Sequence, residues 1–159
     1  MPGILNISEA SAIGVHAMML IAGRPERPNT VPELASELQV SAAHLQKVLQ
    51  RLVHAGLACS TRGPKGGYGL AKDAASIKLG EIFAAIEGTL PMGLCLLDKD
   101  RCCMGTCALG DMMHSINDAV ASRLQTRLSE LVRNTGRRAD GPAPAGPRFE
   151  KSRGKTRHI

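Results

Sequence analysis

Aromatic side chains are nearly absent from this sequence. Tyr68, Phe83 and Phe149 make up 2% of 159 residues, and there is no tryptophan. Modules that stack single-stranded bases on aromatic platforms need more than this, so RNA is not an expected partner. Long apolar runs are missing too. None approaches the roughly 18 residues of a membrane-spanning helix, so no membrane association is expected. The N-terminus lacks a secretory n-region and cleavage site, and the expected location is the cytoplasm. No glycine-rich phosphate loop joins a strand to a helix, because GPKGGYG (63–69) lies between two short strand candidates. No Ser–His–Asp set or carboxylate pair stands out. An enzyme is therefore not expected.

Acidic residues are missing from one long stretch. Between Glu37 and Asp73 there is none, while Lys47, Arg51, Arg62, Lys65 and Lys72 fall there with His44 and His54. A surface without carboxylates does not repel phosphate, and its cations release counterions when they meet it. The overall charge of +6 is less informative. Residues 134–159 hold seven Lys/Arg against Asp140 and Glu150, so the tail carries +5 and residues 1–133 only +1. That tail is rich in Gly, Pro and basic residues with almost no large apolar side chain, and is expected to be disordered.

The remaining pattern is mostly helical. Ser8 caps a helix over 8–22, with Ala12, Val15, Met19 and Ala22 at helical spacing, and Gly23 and Pro25 end it. Thr30 caps a short helix with Pro32 in its first turn and Glu33 in the capping-box position. Ser41 caps a third, 42–55, whose apolar positions are Leu45, Val48, Leu49 and Leu52, closed by Gly56. Leu57–Thr61 and Tyr68–Ala71 are strand candidates around the turn Arg62–Gly67. A fourth helix covers 78–87. From about Ala108 to Val132 the stripe Leu109, Met112, Met113, Ile116, Val120, Leu124, Leu128 and Leu131 predicts one long helix. A stripe of that length at the end of a small domain needs cover, and a second subunit supplies it.

Helix, short helix, turn, helix and hairpin is the layout of a winged helix-turn-helix. The expected fold is mainly α, with a small β-hairpin wing and a long C-terminal dimerisation helix. The third helix offers Ser41, His44, Gln46, Lys47, Gln50 and Arg51 away from its apolar face. Glutamine pairs with adenine, and Lys or Arg with guanine or phosphate. The wing adds Arg62 and Lys65 among glycines that permit close approach to the backbone. Double-stranded DNA is the expected partner.

Four of the five cysteines, Cys95, Cys102, Cys103 and Cys107, lie within thirteen residues, and Cys59 stands apart. Clustered thiols in a cytosolic chain point to metal binding or redox sensing rather than structural disulfides. An iron–sulfur cluster, a zinc site and cluster-free thiol chemistry all remain open on the residues alone. Cys59 reads as a small packed residue beside a strand.

SAAHLQKVLQRLVHAGL (41–57) and TRGPKGGYGLAKDAASIKLGEIFAAIEG (61–88) resemble the Rrf2 family (IscR/NsrR type) of bacterial winged-helix regulators. The resemblance covers roughly residues 5–133. It implies a homodimer on partly palindromic DNA, acting as a repressor, with the long helix as the dimerisation element. The implied division is a winged-helix domain over 1–88, a cysteine-rich sensor loop over 89–107, the dimerisation helix over 108–133 and the tail over 134–159. It further implies an iron–sulfur cluster, [4Fe–4S] or [2Fe–2S], responding to nitric oxide, redox state or iron–sulfur supply. Cys95, Cys102 and Cys107 fit the family's cysteine spacing, with Cys103 as alternative or fourth ligand. IscR-like members carry a histidine three residues after the last cysteine, and here that position is Gly110. Asp111, His114 or the partner subunit's Glu9 are further candidates for the fourth ligand. The alternative readings are a cluster-free thiol-redox or effector-responsive regulator, or a zinc-stabilised winged-helix module that binds protein.

Overall fold

The computed structural model describes residues 7–63, 66–88 and 109–138. Within them the chain forms α1 (Glu9–Ala22), α2 (Val31–Leu38), α3 (Ala42–His54), β1 (Ala58–Thr61), β2 (Gly67–Leu70), α4 (Leu79–Glu87), α5 (Gly110–Leu124) and α6 (Leu128–Arg138). The first four helices and both strands fall within a residue or two of the expected bounds. Lys65, Cys95, Cys102, Cys103 and Cys107, and the tail past residue 138, lie outside the described residues.

Local chemistry sets the helix ends. The Ser8 hydroxyl accepts from the Ser11 amide at 3.1 Å and caps α1. Thr30 caps α2 by accepting from the Glu33 amide, but the Glu33 carboxylate does not turn back to complete the box, because it is held by Arg27. Ser41 occupies the N-cap of α3 with extended backbone and no side-chain cap bond. Gly56, at φ +69°, supplies the left-handed residue after α3, and the Leu57 amide reaches back to the Leu52 carbonyl at 3.0 Å.

The turn between α2 and α3 also needs a left-handed residue, and Gln39 provides it at φ 56°, ψ 42°. Holding a β-carbon there costs energy that glycine avoids. Gln39→Gly is expected to raise stability by about 0.5–1 kcal/mol in urea denaturation. A loss of stability would mean that the Gln39 side chain contributes something its exposure does not suggest.

α1 is the central element, packing against α3, α4 and α6 as well as the wing. Ile13, Ala17, Met18 and Ile21 meet Leu45, Val48, Leu49 and Leu52 of α3 and Ile82 and Ile86 of α4 in one buried cluster. Each large side chain fully buried there is worth about 1.5–3 kcal/mol, so the cluster holds α3 firmly while its opposite face stays in solvent.

The hairpin pairs Ala58 with Leu70 through Thr61 with Gly67, antiparallel. A third segment joins it: the Asn29 and Tyr68 amides each donate to the other's carbonyl, at 2.9 and 2.8 Å. The 23–29 segment, expected as a loop only, thus braces the wing. Gly67 makes this approach possible, since a β-carbon there would lie 2.7 Å from the Asn29 carbonyl oxygen.

The single long helix expected over 108–132 is two helices. α5 ends at Leu124, and the chain turns through 125–127 before α6. The break follows from what the turn binds. The Leu79 amide donates to the Thr126 carbonyl and the Leu128 amide to the Ile77 carbonyl, both at 2.9 Å. Leu128 is fully buried in the core of its own chain, and the Lys78 ammonium bonds Gln125 at 2.8 Å. The lower part of the predicted stripe therefore covers this domain rather than a partner. Helix also continues past residue 134, where a disordered tail was expected to begin, as far as Arg138.

Candidate nucleic-acid interface

The polar face of α3 follows from its apolar one. Leu45, Val48, Leu49 and Leu52 all point inward, so the side chains a turn away must point out. Gln46, Lys47, Gln50 and Arg51 are exposed, as are Ser41, Ala42 and Ala43, while His44 is half-buried at the edge. Two small exposed residues at the start of the helix leave room for close approach. Gln46, Lys47 and Gln50 have no hydrogen bond or ion pair to another described residue, so their donors and acceptors are free for a ligand.

Arg51 is placed differently from its neighbours. Its Nη1 donates to the Ile86 carbonyl at the end of α4, 3.2 Å away. Next to it, the Glu87 carboxylate accepts from the Ser8 hydroxyl and from the Ser11 hydroxyl, the latter at 2.7 Å. These two hydroxyls, Ser8 foremost, hold the Glu87 carboxyl below the usual carboxylate range. Arg51 thus joins α3 to the junction of α1 and α4, and at least part of its donor set is used in tying elements together.

The cations around the acid-free stretch divide into paired and unpaired. Arg24 forks onto Glu37 at 2.6 and 2.7 Å, Arg27 onto Glu33, and Lys72 pairs with Glu81 at 2.8 Å. Each arginine pair raises its arginine and lowers its glutamate from their ordinary values, and Lys72 lowers Glu81, in every case chiefly through the shared hydrogen bond. Lys47 on α3 and Arg62 at the base of the wing tip are exposed and unpaired among the described residues. The structure leaves a net positive surface at α3 and the wing, and a neutralised rim beside it.

Sequence reasoning missed the rim and the brace. Glu33 read as a capping residue, and its spacing from Thr30 concealed its pairing with Arg27. Asn29 carried no signal, yet it is fully buried against β2. Cys59 also departs from expectation. It is exposed on β1 rather than packed, and its thiol donates to the Leu70 carbonyl at 3.4 Å. It lines an open groove with Ile21 and the 24–28 segment, which leaves it accessible rather than packed. Asp111 and His114 are exposed in the first turns of α5. Among the described residues no group of three or more His, Cys, Asp or Glu is gathered in a way that could hold a metal.

Three helices with the third presenting a free polar face, followed by a braced hairpin, define a winged helix-turn-helix of the kind found in transcription regulators. Residues 7–134 match the Rrf2 family, described as "Iron-dependent Transcriptional regulator". The chain belongs to that family. It is 31% identical over 139 residues to Escherichia coli IscR, an HTH-type transcriptional regulator, covering 82% of each protein. Among solved structures, CymR, "the Global Cysteine Regulator of B. subtilis", is 28% identical with a TM-score of 0.72, over 82% of this chain and 98% of that one. IscR of T. potens is 25% identical with a TM-score of 0.68, over 88% and 94%. No described helix is long and apolar enough to cross a membrane.

Proposed function

We propose that this chain binds double-stranded DNA as a homodimer, represses transcription, and changes its DNA affinity with the state of an iron–sulfur cluster. The observation that carries the DNA part is the free polar face of α3 beside Arg62, within 35 residues that contain no acid. Gln46, Lys47 and Gln50, with Ser41 and His44 beside them, enter the major groove. Arg62 and Lys65 hold the wing on the backbone or in the minor groove. Arg51 serves at the edge of this set because its guanidinium is shared with α4.

α5 supports the homodimer. Leu109 and Met112 are exposed at 45% and 43%, and Ile116 and Val120 follow at helical spacing, half-buried. An apolar stripe left open on a helix that the other described elements touch mainly through α4 fits pairing with its own copy.

Cys95, Cys102 and Cys107 would hold the cluster, with Cys103 as alternative or fourth ligand. Thiolates at this density suit iron, and the family description and the likeness to IscR favour it. Bound there, the cluster would supply a redox- and nitric-oxide-sensitive group. The segment that carries these cysteines leaves α4 directly after Ile86 and Glu87, the residues bonded to α3 and α1. A change of state at these cysteines would reach the recognition helix through those bonds.

A second reading is cluster-free thiol control, favoured by the likeness to CymR, whose described role is cysteine regulation. Anaerobic purification separates the two. Iron and sulfide near stoichiometry, with absorbance that bleaches under nitric oxide or air, is the expected result; a colourless, iron-free dimer that still binds DNA selects the thiol reading. For the interface, Arg62→Ala is expected to weaken binding to specific and random duplexes alike and to lower the salt slope by roughly one phosphate contact. Unchanged affinity at moderate salt would remove the wing from the interface.

A further inference from the structure

We propose that Glu33 and Glu37 form a charge clamp that withholds Arg24 and Arg27 from the DNA backbone and so limits binding to DNA of the wrong sequence. This rests on the DNA-binding reading above and names residues that tune it. Arg24 and Arg27 share an open groove with Pro28, Thr61 and Gly67. Thr61 and Gly67 are the last paired residues before the wing tip, so both arginines stand close to the base of the tip that carries Arg62.

Their pairing is geometrically full. Both terminal nitrogens of Arg24 face the two oxygens of Glu37, and its Nη1 also lies 3.9 Å from Glu33. Arg27 forks onto Glu33 in the same way. A guanidinium fork matches carboxylate and phosphate equally well, so the glutamates compete for the same donors that a phosphate would use. Stability alone gives little reason for two forks here. All four side chains are solvent-accessible, exposed pairs contribute little, and the Asn29–Tyr68 bonds already fasten the segment. An arginine that brings its own counter-charge releases no counterion on meeting DNA, and so adds nothing to sequence-independent affinity.

The test is the full chain with Glu33→Gln and Glu37→Gln, titrated against a short random-sequence duplex by fluorescence anisotropy over a salt series. Both substitutions keep the backbone amide that Thr30 caps. Relative to wild type, the double variant is expected to bind about tenfold more tightly near 0.1 M salt, with a log–log slope steeper by roughly 1.8, two freed cations at about 0.9 each. Adding Arg24→Ala and Arg27→Ala should return the slope to the wild-type value. Asp118→Asn with Glu130→Gln removes the same charge from α5 and α6 and serves as the control. A double variant that moves no further than this control overturns the clamp. If the double variant melts early, Glu37→Gln alone carries the test, with half the slope change. Wild type that binds no duplex at low salt overturns the DNA reading and the clamp together; wild type that binds, with an unmoved double variant, overturns the clamp alone.

Discussion

Gly67→Val is expected to remove most of the affinity for duplex DNA while leaving the helices folded. A β-carbon at this position would stand 2.7 Å from the Asn29 carbonyl oxygen, 2.9 Å from its carbonyl carbon and 3.0 Å from the Pro28 β-carbon. Two of those three atoms are backbone, so no rotamer change relieves the clash. The segments must separate, and separation breaks the paired Asn29–Tyr68 hydrogen bonds, worth about 1 kcal/mol each. What remains is a two-stranded hairpin of four residues a side, which is marginal by itself in water. The wing would then be free to swing, and Arg62 would lose its fixed position. The expected loss is on the order of tenfold or more in affinity, read by anisotropy, against a circular dichroism spectrum close to wild type. Gly69→Ala is the matched control, because its β-carbon would meet only the Cys59 sulfur at an ordinary 3.5 Å. Equal DNA affinity in Gly67→Val and wild type would show that the brace has no role in binding.

The contrast between these two glycines marks where sequence reading ends. Both belong to the same GGYG run, Gly67 as the last residue of the expected turn and Gly69 within the returning strand. Only the structure shows that one of them faces a third segment. Periodicity and caps made α1 to α4 legible, because helix starts such as Ser8 and Thr30 and the stripe Leu45–Val48–Leu49–Leu52 act locally. The polar face of α3 came with them, since it is simply the complement of the buried stripe. Features made by residues distant in sequence were not legible. The break between α5 and α6 is such a case: the apolar stripe runs unbroken through Leu124 and Leu128, and only the hydrogen bonds from 77–79 to 126–128 interrupt it. Arg51 is another. Its spacing put it on the exposed face of α3, where it lies, but gave no sign that its Nη1 bonds the Ile86 carbonyl, 35 residues on. Cys59 reads as packed because small strand residues often are, and in the structure it opens onto the groove beside residues 24–28 instead.

Gly14 shows the same limit in the core, and it carries the largest expected change in stability. In mid-helix, glycine costs about 1 kcal/mol relative to alanine, so propensity alone predicts that Gly14→Ala stabilises. The packing opposes this. A β-carbon at Gly14 would lie 2.2 Å from Ile86 Cδ1 and 3.3 Å from Val48 Cγ1, which places the backbone of α1 directly against α3 and α4. Overpacking of this kind costs typically 1–3 kcal/mol, occasionally more. Ile86 Cδ1 is the end of a flexible chain and can retreat from a single methyl group. For Gly14→Ala the two effects should roughly cancel. Gly14→Leu has no such escape, because its branched end must enter space already filled by Val48 and Ile86. It is expected to cost about 3 kcal/mol or more in urea denaturation, enough to lower the melting temperature by on the order of ten degrees. A double-mutant cycle isolates the cause. Ile86→Val removes the atom that a Gly14 β-carbon would strike. In that background Gly14→Ala should turn stabilising by about 1 kcal/mol, as helix propensity alone requires. If Gly14→Leu is as stable as wild type, or if Ile86→Val leaves the effect of Gly14→Ala unchanged, then the close approach of α1 to the α3–α4 pair is not what fixes glycine at this position.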